Sequence, residues 1–312
     1  MHITLDIIIM IALFVVLWLA ADFAVKHIKY IWWVLWIKLF ALGIVLWFCT
    51  TFPEFFVWIN SLLDNSGWIS VGNFLGATVV IFGLILGVSL LLNRKIETSG
   101  NLTNMIPEVI TIFLPVVLWV DWRYGTLDGV IMIAAYIGLI YYLYIKNKNK
   151  TEQTEIEPLN RKKVLKSILF AIIGVIIVVI SAHYVVEITL NLLQYVKISK
   201  FLVWLLAFSI WTNLPEITIA VTSWRKKSSG LSLKHLISSA FTNTLALGIL
   251  AISKPFSFEA GISYWIIWVF SLVLLVLTLF FYRSEKKMDI KEWAILFAVY
   301  ALFMAVNFFM VR

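Results

Sequence analysis

Two short stretches of the chain combine hydroxyl side chains with a Pro-Glu dipeptide, and this combination can bind a hard cation. The first reads Cys49-Thr50-Thr51-Phe52-Pro53-Glu54, and the second reads Trp211-Thr212-Asn213-Leu214-Pro215-Glu216. Proline has no N–H, so within a helix it leaves the carbonyl oxygen four residues earlier without its usual donor. Each stretch therefore offers a carboxylate, side-chain oxygens and a spare backbone oxygen, which suit a cation such as Ca²⁺.

Both stretches lie in strongly apolar sequence. Of the 312 residues, 62% are hydrophobic, and the mean hydropathy is +0.98. Apolar runs of about 20 residues are typical of membrane-spanning helices. Ten such segments cover about 5–25, 31–61, 69–93, 104–120, 127–146, 164–192, 200–224, 232–253, 260–282 and 290–310. The sequence therefore predicts an all-α integral membrane protein with ten transmembrane helices, the first of which is not a cleaved signal peptide.

The basic residues predict the orientation of the chain in the membrane. Of its 25 Lys and Arg residues, 19 lie in connections or at the adjoining segment ends on one side, and five lie on the other side. Because cytoplasmic connections are rich in Lys and Arg, both termini are expected outside a plasma (inner) membrane. The same placement explains the net charge of +8 without a nucleic-acid partner. The only cysteine, Cys49, excludes an intrachain disulfide.

The two Pro-Glu stretches divide the chain into two similar halves. Glu54 and Glu216 are 162 residues apart, and each half contains five apolar segments. We expect a first five-helix repeat over 1–147, a cytoplasmic linker over 148–163 and a second repeat over 164–312. Since five is an odd number, the second repeat must enter the membrane from the opposite side. Inverted repeats of this kind are typical of secondary transporters, whose site lies near the membrane midplane.

The segment after each Pro-Glu strengthens the comparison between the halves. The first half continues with Gly72-Asn73-Phe74-Leu75-Gly76-Ala77-Thr78-Val79-Val80-Ile81, and the second with Ser238-Ser239-Ala240-Phe241-Thr242-Asn243. Ala77 and Ser239 each lie 23 residues after their glutamate, and Ile81 and Asn243 each lie 27 residues after it. This pattern resembles the cation/Ca²⁺ antiporter superfamily, in particular membrane proteins of the sodium/calcium exchanger type.

The resemblance implies an antiporter that exchanges Ca²⁺ for Na⁺ by alternating access, with no organic cofactor and no enzymatic activity. The two glutamates would share one site, which one divalent cation or two monovalent cations or protons could neutralise. The expected ligands are oxygen-bearing side chains from both halves of the chain. They are Glu54, Glu216, Thr50, Thr51, Thr212, Asn213, Ser239 and Asn243.

The sequence also departs from the family pattern. Ala77 and Ile81 occupy positions at which the family carries serine and asparagine, so two oxygen ligands are missing from the first half. Fewer coupled ions, or protons in place of Na⁺, would be consistent with this loss. An H⁺-coupled divalent-cation antiporter and a family member that no longer transports therefore stay open. A membrane enzyme is disfavoured, because the sequence shows no cluster of His, Ser-His or Ser-Lys residues typical of catalysis.

Overall fold

The computed structural model describes most of the chain. The described residues are 2–34, 55, 58–61, 63, 67–147, 161–192, 205, 209–213, 216–217, 220–221, 224, 229–257, 259, 261–284 and 287–310. The helices are α1 (His2–Val34), α2 (Gly67–Val79), a π-helix (Val80–Ile85), α3 (Leu86–Asn93), α4 (Leu102–Leu118), α5 (Thr126–Asn147), α6 (Arg161–Leu192), α7 (Ser209–Thr212), α8 (Ser229–Ser253), α9 (Ile262–Arg283) and α10 (Ile290–Met310).

Most of these helices have the length and composition of membrane spans. Seven stretches of the described residues are long and apolar enough to cross a bilayer. They are Ser70–Asn93, Leu102–Asp121, Thr126–Lys146, Lys162–Val185, Leu233–Ser253, Ile262–Arg283 and Ile290–Met310. The hydrocarbon core of a bilayer offers no hydrogen-bond partners, and a helix pairs its own backbone groups. An apolar chain in a membrane is therefore helical.

One compact unit comprises residues 1–64 and 140–197. Within it, α1 and α6 pack against each other so closely that a small residue is needed at Gly174. A Cβ atom at that position would lie 2.8 Å from the Cβ of Ala24 and 3.1 Å from the carbonyl oxygen of Ala20. Close backbone approach through small residues is a common way for membrane helices to associate.

The second compact unit comprises residues 65–139 and 198–312. Four short strands pair antiparallel within it. Strand β1 (Lys95–Glu97) pairs with β4 (Lys287–Asp289), and β2 (Arg123–Tyr124) pairs with β3 (Phe256–Ser257). Because α4 runs between β1 and β2, the two strand pairs lie at opposite ends of this helix.

Proline and glycine determine how α4 and α5 meet α8. Pro115 cannot donate to the carbonyl of Thr111, and the Thr244 hydroxyl on α8 donates to that oxygen at 2.8 Å instead. On α5, a Cβ at Gly129 would lie 2.6 Å from the carbonyl oxygen of Gly248. The α8 helix is therefore held by contacts on two neighbours along its second half.

The turn after α4 adds a further buried contact. The hydroxyl of Tyr124 donates to the carbonyl of Pro115 at 2.7 Å. Burial raises the pKa of Tyr124 well above its usual range, so this hydroxyl keeps its proton at physiological pH. The Trp119 ring packs against Tyr124 with a centroid distance of 4.5 Å.

Candidate cation-binding site

The carboxylate of Glu216 is the centre of a polar cluster in the second unit. Its side chain is completely buried, at 0% exposed. The hydroxyl of Ser239 on α8 donates to Oε1 of Glu216 at 2.8 Å. The structure therefore brings together two of the residues that the family resemblance assigns to one site.

Thr212 and Asn213 lie one helical turn before Glu216. The Thr212 hydroxyl donates to Oδ1 of Asn73 on α2 at 2.8 Å, and the amide nitrogen of Asn213 donates to the carbonyl of Ser209 at 2.7 Å. The backbone N–H of Ile217 donates to the carbonyl of Asn213 at 3.2 Å. All four polar side chains of this network are buried.

Asn243 lies one turn beyond Ser239 on the same face of α8. Its side chain is buried, and neither Oδ1 nor Nδ2 has a hydrogen-bond partner among the described residues. Within the same described ranges, Oε2 of Glu216 and Oδ1 of Asn213 are also buried without a partner. Buried polar atoms in native proteins are nearly always paired, so these three oxygens are candidate ligands for a cation.

The hydrogen bonds of this cluster have a common direction. Ser239, Thr212 and Asn213 each donate a side-chain hydrogen bond to an oxygen of a neighbouring residue. Oε2 of Glu216 and Oδ1 of Asn213 accept no hydrogen bond from any residue that the structure describes. The amide nitrogens of Asn73 and Asn243 are also buried without a partner among the described residues. Carboxylate and amide oxygens of this kind are suitable ligands for a hard cation.

The charge of the cluster leads to the same expectation. Across the part of the chain that the structure describes, no Lys, Arg or His forms an ion pair with Glu216. A carboxylate buried without a counter-charge costs several kcal/mol, so it is expected to bind a cation or a proton. Among the described positions, no group of three or more His, Cys, Asp or Glu residues is arranged to hold a metal ion.

The ligand positions of the first half of the chain fall into two groups. Glu54, Thr50 and Thr51 lie outside the described residues. Ala77 on α2 and Ile81 in the π-helix are both buried, and neither supplies a side-chain oxygen. The departure from the family pattern therefore concerns interior positions rather than the surface.

Asn73 is the site residue that the sequence reasoning did not select. It was noted only as part of the Gly72-Asn73 stretch, whereas the structure places it against Thr212. An asparagine in the interior of a strongly apolar segment was the available indication, because a buried amide needs partners.

Comparison with known proteins decides the family. A model of the family described as "Sodium/calcium exchanger protein" matches residues 5–145 and 166–309. The chain belongs to this family. The resemblance inferred from the two Pro-Glu stretches is thus confirmed, and the sodium/calcium exchanger family consists of membrane transporters rather than enzymes.

Comparisons with individual proteins agree with this family assignment. An uncharacterized membrane protein of Methanocaldococcus jannaschii, MJ0091, is 24% identical over 250 residues, which are 78% of each chain. A structure of the sodium-calcium exchanger NCX_Mj matches with a TM-score of 0.67 at 20% identity, covering 97% of this chain and 98% of that one. The H⁺/Ca²⁺ exchanger CAX matches with a TM-score of 0.66 at 15% identity, covering 98% and 90%. The fold is therefore that of a multi-pass integral membrane protein.

Proposed function

We propose that this protein is a secondary active antiporter that exchanges Ca²⁺ for Na⁺ by alternating access. The observation that carries the proposal is the buried Glu216, whose Oε2 has no partner among the described residues. Family membership supports the same transport class. One divalent cation or two monovalent cations would neutralise the site if a second carboxylate contributes, and exclusive occupancy by one or the other is the physical basis of exchange.

The proposed ligand set combines both halves of the chain. Glu216, Thr212, Asn213 and Asn243 would contribute oxygens, while Ser239 orients the glutamate. Glu54, Thr50 and Thr51 would supply the remaining ligands. Two carboxylates provide up to four oxygens, and side-chain hydroxyls and amides would bring the total toward the six to eight that Ca²⁺ prefers.

The proposed topology follows from the sequence. Ten spans would form two inverted five-helix repeats over 1–147 and 164–312, joined by a cytoplasmic linker, with both termini outside a plasma membrane. The fold shared with NCX_Mj and CAX supports this arrangement.

A second candidate function is exchange of a divalent cation for H⁺. Ala77 and Ile81 favour it, since both are buried and leave α2 and the π-helix without the two oxygens that the resemblance implies. Fewer oxygens mean fewer places for Na⁺, whereas a buried carboxylate can still bind a proton.

Ca²⁺ flux in proteoliposomes tests these functions. Uptake is measured with either a Na⁺ gradient or a pH gradient, for the intact protein and for Glu216→Gln. The matched control is Glu97→Gln, which removes an exposed carboxylate paired with Lys95 at 3.1 Å. Na⁺-driven uptake that Glu216→Gln abolishes and Glu97→Gln preserves supports sodium/calcium exchange. Uptake driven only by the pH gradient selects the second function, and a folded protein with no flux under either gradient contradicts both.

A further inference from the structure

We propose that Asn73 is a positioning residue that controls the orientation of the Thr212 hydroxyl and thereby the affinity of the site for a cation. This inference rests on the proposed function, because it concerns the same site. It goes beyond that function by assigning α2 an indirect role at a position that is not itself a ligand.

The geometry of the pair carries the inference. Asn73 is 0% exposed and Thr212 is 5% exposed, so neither side chain exchanges its partner for bulk water. The Thr212 hydroxyl donates its single proton to Oδ1 of Asn73 at 2.8 Å. A hydroxyl has one donor and two lone pairs, so a fixed proton also fixes the direction of the lone pairs.

This direction matters for a cation. A hydroxyl oxygen binds a metal ion through a lone pair, and a proton pointing at the ion would repel it. With its proton held by Asn73, Thr212 presents only lone pairs to the rest of the cluster. Without the Asn73 acceptor, the Thr212 hydroxyl rotates to another partner. The free energy of cation binding then includes the cost of rotating it back.

The packing of α2 keeps this contact in register. Gly76 lies three residues after Asn73, and a Cβ there would lie 2.5 Å from the carbonyl oxygen of Leu205 and 2.8 Å from the Cβ of Ser209. The helix is thus in direct contact with the chain just before Thr212. Ala77 on the same helix is buried and offers no side-chain oxygen, so α2 contributes no ligand at that position.

A purely structural hydrogen bond makes different predictions from a positioning one. Loss of a structural bond lowers thermal stability and leaves cation affinity unchanged in the folded protein. Loss of a positioning bond raises the Kd for Ca²⁺, and it does so only when residue 212 carries a hydroxyl. The second property is a readout that packing alone does not produce.

The experiment measures Ca²⁺ binding to the full-length protein in detergent by calorimetry, with the thermal midpoint of each variant recorded alongside. Asn73→Ala is expected to raise the Kd by about threefold to tenfold, the effect of one net hydrogen bond. The matched control is Asn307→Ala, because Asn307 is equally buried and donates to the carbonyl of Phe303 at 2.9 Å outside the cluster. This control is expected to keep the original Kd.

Combination with substitutions at Thr212 gives the decisive comparison. The effect of Asn73→Ala should persist in a Thr212→Ser background, which retains a hydroxyl, and vanish in a Thr212→Val background, which has none. Equal effects in both backgrounds, or a Kd as unchanged as in the Asn307 control, would overturn the inference. If Asn73→Ala does not fold, Asn73→Leu keeps the volume of the side chain and is expected to give the same rise in Kd.

Glu216→Gln separates failure of this inference from failure of the proposed function. If that variant binds Ca²⁺ as tightly as the intact protein, the proposed site is wrong and the role of Asn73 falls with it. If Glu216→Gln loses binding while Asn73→Ala does not, only the role of Asn73 is overturned.

Discussion

Ser239→Ala provides a quantitative test of how the glutamate is held. The substitution removes the donor that lies 2.8 Å from Oε1 of Glu216. A hydrogen bond to a charged group contributes about 1.5–3 kcal/mol. Because this bond stabilises the ionised carboxylate, which is the form that binds Ca²⁺, its loss strengthens competition by protons.

The expected shift follows from that energy. Each pH unit of proton competition corresponds to about 1.36 kcal/mol. The pH at which Ca²⁺ uptake is half-maximal should therefore move upward by about one to two units in Ser239→Ala. The assay is Ca²⁺ uptake into proteoliposomes over a series of symmetric pH values, so that no proton gradient contributes.

The control for this variant is Ser271→Ala on α9. Ser271 is as deeply buried as Ser239, and its hydroxyl has no partner among the described residues. Its removal should leave the pH profile in place. A Ser239→Ala profile with lower flux but the same midpoint would refute the reasoning, because it would mean that Ser239 only fills space.

Two further predictions concern the contacts that position the site. Gly76→Ala introduces a Cβ 2.5 Å from a neighbouring carbonyl oxygen, so we expect a lower thermal midpoint and a loss of Ca²⁺ uptake. The control Gly138→Ala, whose Cβ would have nothing within 4 Å, should leave both unchanged. Equal midpoints for the two variants would contradict the close approach at Gly76. Thr244→Val removes the donor to the carbonyl freed by Pro115 and should lower the free energy of unfolding by about 1 kcal/mol. This loss should shrink in a Pro115→Ala background, where a backbone N–H can replace the hydroxyl, and an undiminished loss would show that the freed carbonyl is irrelevant.

The fold class could be predicted from the sequence because a bilayer requires spanning segments to be long, apolar and helical. Long apolar runs must become helices when no water can satisfy the backbone, and the described spans meet this requirement. The family was accessible for a related reason, since two Pro-Glu stretches recur in apolar surroundings that tolerate carboxylates poorly. The count of ten spans and the position of the termini remain predictions.

The family resemblance assigns Glu216 and Ser239 to one site, but the sequence does not predict the contact of Asn73 with Thr212. Asn73 and Thr212 are 139 residues apart, and their hydrogen bond depends on how two helices pack. No periodicity in either helix encodes that distance. The π-helix over Val80–Ile85 was also missed, because its wider turn depends on backbone hydrogen bonding rather than on hydropathy.

The two strand pairs have a mechanical consequence for transport. Backbone hydrogen bonds join β1 to β4 at one end of α4 and β2 to β3 at the other. They connect both ends of this helix to other segments of the second unit. A rearrangement that separated β1 from β4, or β2 from β3, would break these main-chain hydrogen bonds. If both strand pairs stay formed while the protein binds and releases a cation, the amides in both ladders should exchange with deuterium at equal rates with and without Ca²⁺.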